Sequence, residues 1–202
     1  MVSRSSMAKV VHLARRFFGS LRPGRPPAAD LVWVEDHLSA AELAIWGAMS
    51  DPDQRHSVEV ARTVDKEVRR RDTEVAGGTS GDWSVLADWF DSVEHRRQMM
   101  VAAALLHDSG KNLSGLGTFA RVGATLLRPA LSAQSRAALI ERSGLTQRFS
   151  RYWRHPELGS AALKQVHSHR LVACWAAEHH WPAEDWSVPP ELGFILRDCD
   201  ND

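Results

Sequence analysis

A histidine and an aspartate stand side by side at His107-Asp108, and a lysine follows at Lys111. The doublet closes the apolar run Met99–Leu106, whose composition favours a buried helix over a strand. We expect Gly110 to supply the left-handed residue that commonly ends a helix. Because a buried imidazole and carboxylate lose their hydration, they need a metal ion or a tight hydrogen-bond network. The doublet therefore predicts one of these two environments, with partner residues elsewhere in the chain.

His56 belongs to a predicted helix over about residues 53–71. Valines recur in this helix every four residues, at positions 60, 64 and 68, and His56 lies one step earlier in the same row. The histidine therefore faces the core. Taken alone, a core histidine with a hydrogen-bond partner is a commoner explanation than a metal ligand.

Three more histidines and an acidic run complete the candidate set. His155 precedes Pro156, which is tolerated in the first turn of a helix, so the imidazole can point across to a neighbouring helix end. On a predicted helix from Leu171 to Trp181, His179 shares the apolar face, and His180, turned by about 100°, reaches only the edge of the same site. Acidic residues crowd the end of the last predicted helix, at Asp198, Asp200 and Asp202.

Together these side chains form a ligand set of nitrogen and oxygen atoms. Its members are His56, His107, Asp108, His155, His179, His180 and an aspartate near position 198. Such a mixture suits Mn, Fe, Ni, Co or Zn better than Ca or a thiolate-bound Zn. Cys174 and Cys199 lack the C-x-x-C spacing of a thiolate site. The sequence therefore predicts one or two divalent transition-metal ions.

The order His … His-Asp … Asp resembles the HD superfamily of metal-dependent phosphohydrolases, which are all-helical domains. His56 resembles the first histidine of that signature and His107-Asp108 the doublet. Asp198 resembles the closing aspartate, with Asp200 as a second candidate. The resemblance covers most of the chain and implies an all-α, HD-domain helical bundle with phosphohydrolase activity.

The resemblance extends to a two-metal subgroup that includes the HD-GYP cyclic-dinucleotide phosphodiesterases. Lys111 matches the lysine of its His-Asp-x-Gly-Lys run, His155 its His-Pro-x-x-Gly run, and His179-His180 its His-His pair. The chain departs from the pattern at residues 181–186, where Trp-Pro-Ala-Glu-Asp-Trp replaces the Gly-Tyr-Pro run. Pro52 also stands where a trinuclear version has a carboxylate.

The resemblance further implies a role for each candidate residue. Asp108 would bridge two ions, and Lys111 would contact the phosphate of a small phosphorylated substrate, a nucleotide being one candidate. The first ion would be held by His56, His107 and Asp198, and the second by His155 with His179 or His180. Two other functions stay open: a nucleotide-binding or regulatory module without turnover, and a helical scaffold with histidines in its core.

The chain that positions these residues has 202 residues, enough for one domain with a full core. We expect residues 1–28 to form a basic amphipathic helix over 3–21 followed by a proline-rich linker. We expect residues 29–202 to form the HD-type domain. Helices are also expected near 115–128 and 132–142 and from Leu145, with Arg121 on a solvated face.

The charge balance and the cysteine content limit which partners and which cellular location we expect. The 25 basic residues equal the 25 acidic ones, so we expect no long nucleic acid as a partner. Two cysteines are too few for a disulfide framework, which fits the cytoplasm. We identify no stretch with the length of a membrane span and no signal peptide.

Overall fold

The computed structural model describes residues 24–77, 86–127 and 143–201, and all regular structure in these ranges is helical, as predicted. The predicted helices over 3–21 and near 132–142 lie outside them. In chain order the α-helices are α1 (Ala28–Glu35), α2 (Ala40–Gly47), α3 (Asp51–Ala76), α4 (Val93–Leu106), α5 (Thr118–Leu127), α6 (Leu145–Trp153), α7 (His155–Gln165), α8 (Arg170–Glu178) and α9 (Pro190–Asn201). Two 3-10 helices cover Ser109–Ser114 and Ala183–Asp185. Within the described ranges, none of the helices is both long and apolar enough to cross a membrane.

Helix α3 begins at a side-chain cap and runs longer than the valine pattern predicts. The Ser50 hydroxyl accepts from the backbone N–H of Asp53 at 3.4 Å, and Pro52 occupies the first turn. The helix continues to Ala76 instead of ending near residue 71. Exposed pairs of Arg70 with acidic residues one turn away support this last stretch, where the valine row no longer does.

Helix α4 is the central element, as its apolar sequence predicts. Every residue from Met100 to Leu106 is fully buried. The helix packs against α2, α3, α8 and α9. Because α4 ends at Leu106, it delivers His107 and Asp108 into the interior, where each is 2% exposed.

Gly110 has a different role from the one predicted. Among the described residues the glycines with positive φ are Gly24, Gly115 and Gly144, so the prediction of a left-handed Gly110 is wrong. Gly110 lies inside the 3-10 helix, and a Cβ there would stand 1.9 Å from the carbonyl oxygen of His155. The residue is glycine because the backbone after Asp108 touches the start of α7.

Arg121 was expected on a solvated face, and this prediction is wrong. Its side chain is only 12% exposed and forms an ion pair with Asp53 at the start of α3. The guanidinium also donates to the carbonyl oxygens of Leu116 at 2.9 Å and Lys111 at 3.4 Å. Arg121 thereby fastens α5 and the 3-10 helix to the first turn of α3, which lies just before His56.

Candidate metal centre

Five helices bring candidate ligands to one place in the interior. The structure assembles His56 from α3, His107 and Asp108 from the end of α4, His155 from the start of α7, His179 and His180 from the end of α8, and Asp200 from α9. All of them except Asp200 form two groups that share Asp108, and in each group one ligand atom per residue lies within 4.8 Å of the others. Either group could hold a metal ion.

The larger group surrounds Oδ1 of Asp108. His155 Nε2 lies 3.3 Å from this oxygen and His179 Nε2 lies 3.6 Å from it. His180 belongs to the same group and lies at its exposed side, with its ring centroid 3.9 Å from that of His179. Helix α8 ends at Glu178, before the pair, and Pro182 disfavours a helical conformation at Trp181, directly after the pair.

The smaller group lies on the opposite side of the same carboxylate. His107 Nε2 is 3.3 Å from Asp108 Oδ2, and the rings of His56 and His107 have centroids 5.9 Å apart. Asp200 Oδ1 closes this side, at 2.9 Å from His56 Nε2 and 3.8 Å from His107 Nε2. Since each Asp108 oxygen faces a different group, this carboxylate has the geometry of a bridge.

Three of the imidazoles are held by hydrogen bonds from Nδ1 to backbone carbonyl oxygens. His107 bonds to Ala104 at 2.8 Å, and His155 bonds to Tyr152 at 2.7 Å. His179 bonds to the carbonyl oxygen of Ala176 at 3.1 Å in the same way. Because Nδ1 must donate to these carbonyls, Nε2 carries the lone pair, which is the tautomer of an Nε2 metal ligand.

The three buried Nε2 atoms provide a test of whether an ion fits. His107 is 2% exposed, His155 6% and His179 8%, and none of their Nε2 atoms has a hydrogen bond of acceptable geometry within the described residues. Buried polar atoms almost always have a partner. Three lone pairs converging on one carboxylate fit a divalent transition metal.

The charges of Asp108 and His179 agree with this fit. Burial opposes the charged form of Asp108, but the Lys111 ammonium and His107 outweigh it and hold the pKa of the carboxyl well below its usual range. Burial lowers the pKa of His179. For His107, the Asp108 and Asp200 carboxylates outweigh burial and raise the pKa. Asp108 is thus an anion and His179 neutral, the states in which they ligate metals. At His107 the carboxylates favour the protonated form, so binding of an ion there would release a proton from Nε2.

Lys111 lies beside the centre rather than within it. Its ammonium pairs with Oδ2 of Asp108, and its side chain is 14% exposed. The one 3-10 turn between the two residues fixes this contact. The lysine therefore places a positive charge at the edge of both candidate groups.

Asp198, the predicted closing aspartate, is not at the site. Its side chain is 67% exposed and lies 3.5 Å from Nε of Arg197. The second candidate, Asp200, occupies the position instead, with its side chain 18% exposed. Helix α9 runs through to Asn201, so Asp200 falls on the face of buried Leu196 four residues earlier. The four-residue spacing from Leu196 is the sequence signal that could have favoured Asp200 over Asp198.

This difference in position predicts that substitutions of the two aspartates affect metal binding differently. Asp200→Asn should weaken metal binding at the smaller group by roughly 100-fold or more, because it removes the charged oxygen beside His56. Asp198→Asn should leave both metal stoichiometry and affinity unchanged. Titration of each purified variant with Mn²⁺ or Zn²⁺ by calorimetry compares them directly. Equal affinities in the two variants, or a loss confined to Asp198→Asn, would contradict the assignment.

Comparisons of the chain with protein-family models, curated proteins and solved structures give no match. Function therefore has to be argued from the molecule itself. What the structure shows is an all-helical chain, within the described ranges, that carries a buried His/Asp cluster able to hold a metal ion.

Proposed function

We propose that this protein is a metal-dependent phosphohydrolase of the HD type that acts on a small phosphate ester. The observation that carries the proposal is the pair of ligand groups sharing Asp108, with three buried Nε2 lone pairs directed at it. Two cations bridged by one carboxylate are a recurrent arrangement in phosphoester hydrolysis. The order of these residues along the chain supports the HD resemblance.

The candidate ligands divide between the two groups. His56, His107 and Asp200 would hold one divalent transition-metal ion, with Asp200 in the role first assigned to Asp198. His155, His179 and His180 would hold the other. Asp108 would serve both. When bound, such ions supply an activated water nucleophile and positive charge for the phosphate oxygens.

The chain's own groups complete the proposed chemistry. Lys111 would donate a hydrogen bond to a phosphate oxygen and stabilise the charge that develops in the transition state. Its pairing with Asp108 keeps the ammonium at the edge of the centre. The Nδ1 bonds of His107, His155 and His179 fix three imidazoles before substrate arrives, so little reorganisation is needed.

Metal analysis and a substrate screen test this function together. Purified protein should contain one or two equivalents of a transition metal and should hydrolyse p-nitrophenyl phosphate, bis-p-nitrophenyl phosphate or a nucleotide. Removing the metal with a chelator should abolish hydrolysis, and adding Mn²⁺ or Zn²⁺ should restore it. Metal uptake with nucleotide binding but no turnover would instead support a regulatory module. Folded protein that takes up no metal would support the helical scaffold.

A further inference from the structure

A cavity of about 260 Å³ opens directly beside the metal centre. Its lining includes candidate ligands, among them His107, His179 and Asp200. The lining also includes two indole rings and an aliphatic side chain, namely those of Trp175, Trp181 and Leu196. The cavity therefore combines candidate metal ligands with aromatic and aliphatic side chains.

Arg197 lies on the lining of this cavity and is the one arginine or lysine among the described lining residues. Its guanidinium lies 4.9 Å from the ring centroid of Phe194 and 5.3 Å from that of Trp186. These ring contacts and the Asp198 carboxylate, 3.5 Å from Nε, restrict the side chain, which is 39% exposed. A guanidinium held in this way presents a planar set of donors suited to phosphate oxygens.

We propose that the cavity binds the organic part of the substrate and that this part is a single flat ring system. Trp181 would stack on the ring, since 43% of this residue is exposed and it lines the cavity. Arg197, which lines the same cavity, would donate to the phosphate. The inference rests on the proposed function and adds a substrate class to it.

The size of the cavity limits the substrate further. Sites for drug-sized ligands enclose about 300–1,000 Å³. A cavity of about 260 Å³ is slightly smaller than that range, and its volume matches one ring with its phosphate better than two linked nucleotides. The substrate class is therefore a phosphomonoester of a ring-bearing alcohol or phenol.

Equilibrium binding of two non-hydrolysable probes to the metal-loaded protein tests this assignment. Phenylphosphonate carries a ring and methylphosphonate does not, while both carry the same anionic group. Trp181→Ala should weaken phenylphosphonate binding roughly tenfold and leave methylphosphonate binding unchanged, because it removes only the stacking contact. Arg197→Gln should weaken both probes by roughly tenfold or more, because it removes the charged donor. Calorimetric titration gives each affinity without relying on turnover.

A matched control is Trp33→Ala, which removes an indole in α1 that does not line the cavity and should change neither affinity. Thermal unfolding of each variant checks that it is folded. If Trp181→Ala takes up metal normally and binds phenylphosphonate as tightly as the unsubstituted protein does, the aromatic site is wrong and the proposed function is unaffected. Absence of metal uptake by the unsubstituted protein would overturn the proposed function and this inference with it.

Discussion

Replacing Asp108 with asparagine is expected to remove both bound ions and hydrolytic activity in a single step. The two Asp108 oxygens face different ligand groups, at 3.3 Å from His107 Nε2 and 3.3 Å from His155 Nε2. An amide keeps the shape of the side chain but loses the negative charge and one of the two ligand oxygens. No other carboxylate stands in both groups.

The expected loss is large because the ions and the activated water depend on this one side chain. We expect kcat/KM to fall by roughly a thousandfold or more, which corresponds to about 4 kcal/mol in activation free energy. Metal content should fall from the value of the unsubstituted protein towards zero. Elemental analysis of the purified variant and steady-state kinetics on the best ester measure the two effects.

Asp72→Asn provides the matched control. Asp72 is also an ion-paired carboxylate, bound to the buried Arg96, but it lies near the other end of α3 and in neither ligand group. This variant should lose stability without losing metal. If Asp108→Asn kept its full metal content and activity, a bridging role for Asp108 would be wrong. If both variants lost metal equally, the effect would come from destabilisation.

The sequence was sufficient for the features that depend on local pattern. A continuous apolar run predicted that α4 is buried, and the position of His107-Asp108 at its end predicted an interior site. The structure agrees because burial of α4 follows from side-chain composition alone. Four-residue valine spacing likewise predicted which face of α3 carries His56.

The features that the sequence did not reveal depend on contacts between distant segments. Arg121 pairs with Asp53, a residue 68 positions earlier, and local sequence gives no indication of that partner. Asp198 was preferred over Asp200 because of its resemblance to the closing aspartate of the HD signature, whereas in α9 it is Asp200 that lies beside His56. The face that each aspartate presents then follows from the helical period.

Gly110 leads to the second large expected effect, because its role is also set by a distant segment. A Cβ at this position would lie 1.9 Å from the carbonyl oxygen of His155 and 2.7 Å from the backbone nitrogen of Gly159. Both atoms belong to the backbone of α7, so no side-chain rotation relieves the clash. Gly110→Ala must therefore push the segment after Asp108 away from the helix that carries His155.

We expect Gly110→Ala to lower the free energy of unfolding by about 3 kcal/mol or more. It should also weaken metal binding at the larger group, since the displacement separates His155 Nε2 from Asp108 Oδ1, now 3.3 Å apart. Denaturant unfolding of metal-free protein and metal titration measure the two effects separately.

Gly123→Ala is the matched control, because a Cβ there meets no atom within 4 Å and position 123 lies inside α5. That substitution should stabilise the protein by about 0.5–1 kcal/mol. Equal stability and metal affinity in the two variants would show that α7 can move away from Gly110 without cost, and the close approach would then not be what holds His155 against Asp108.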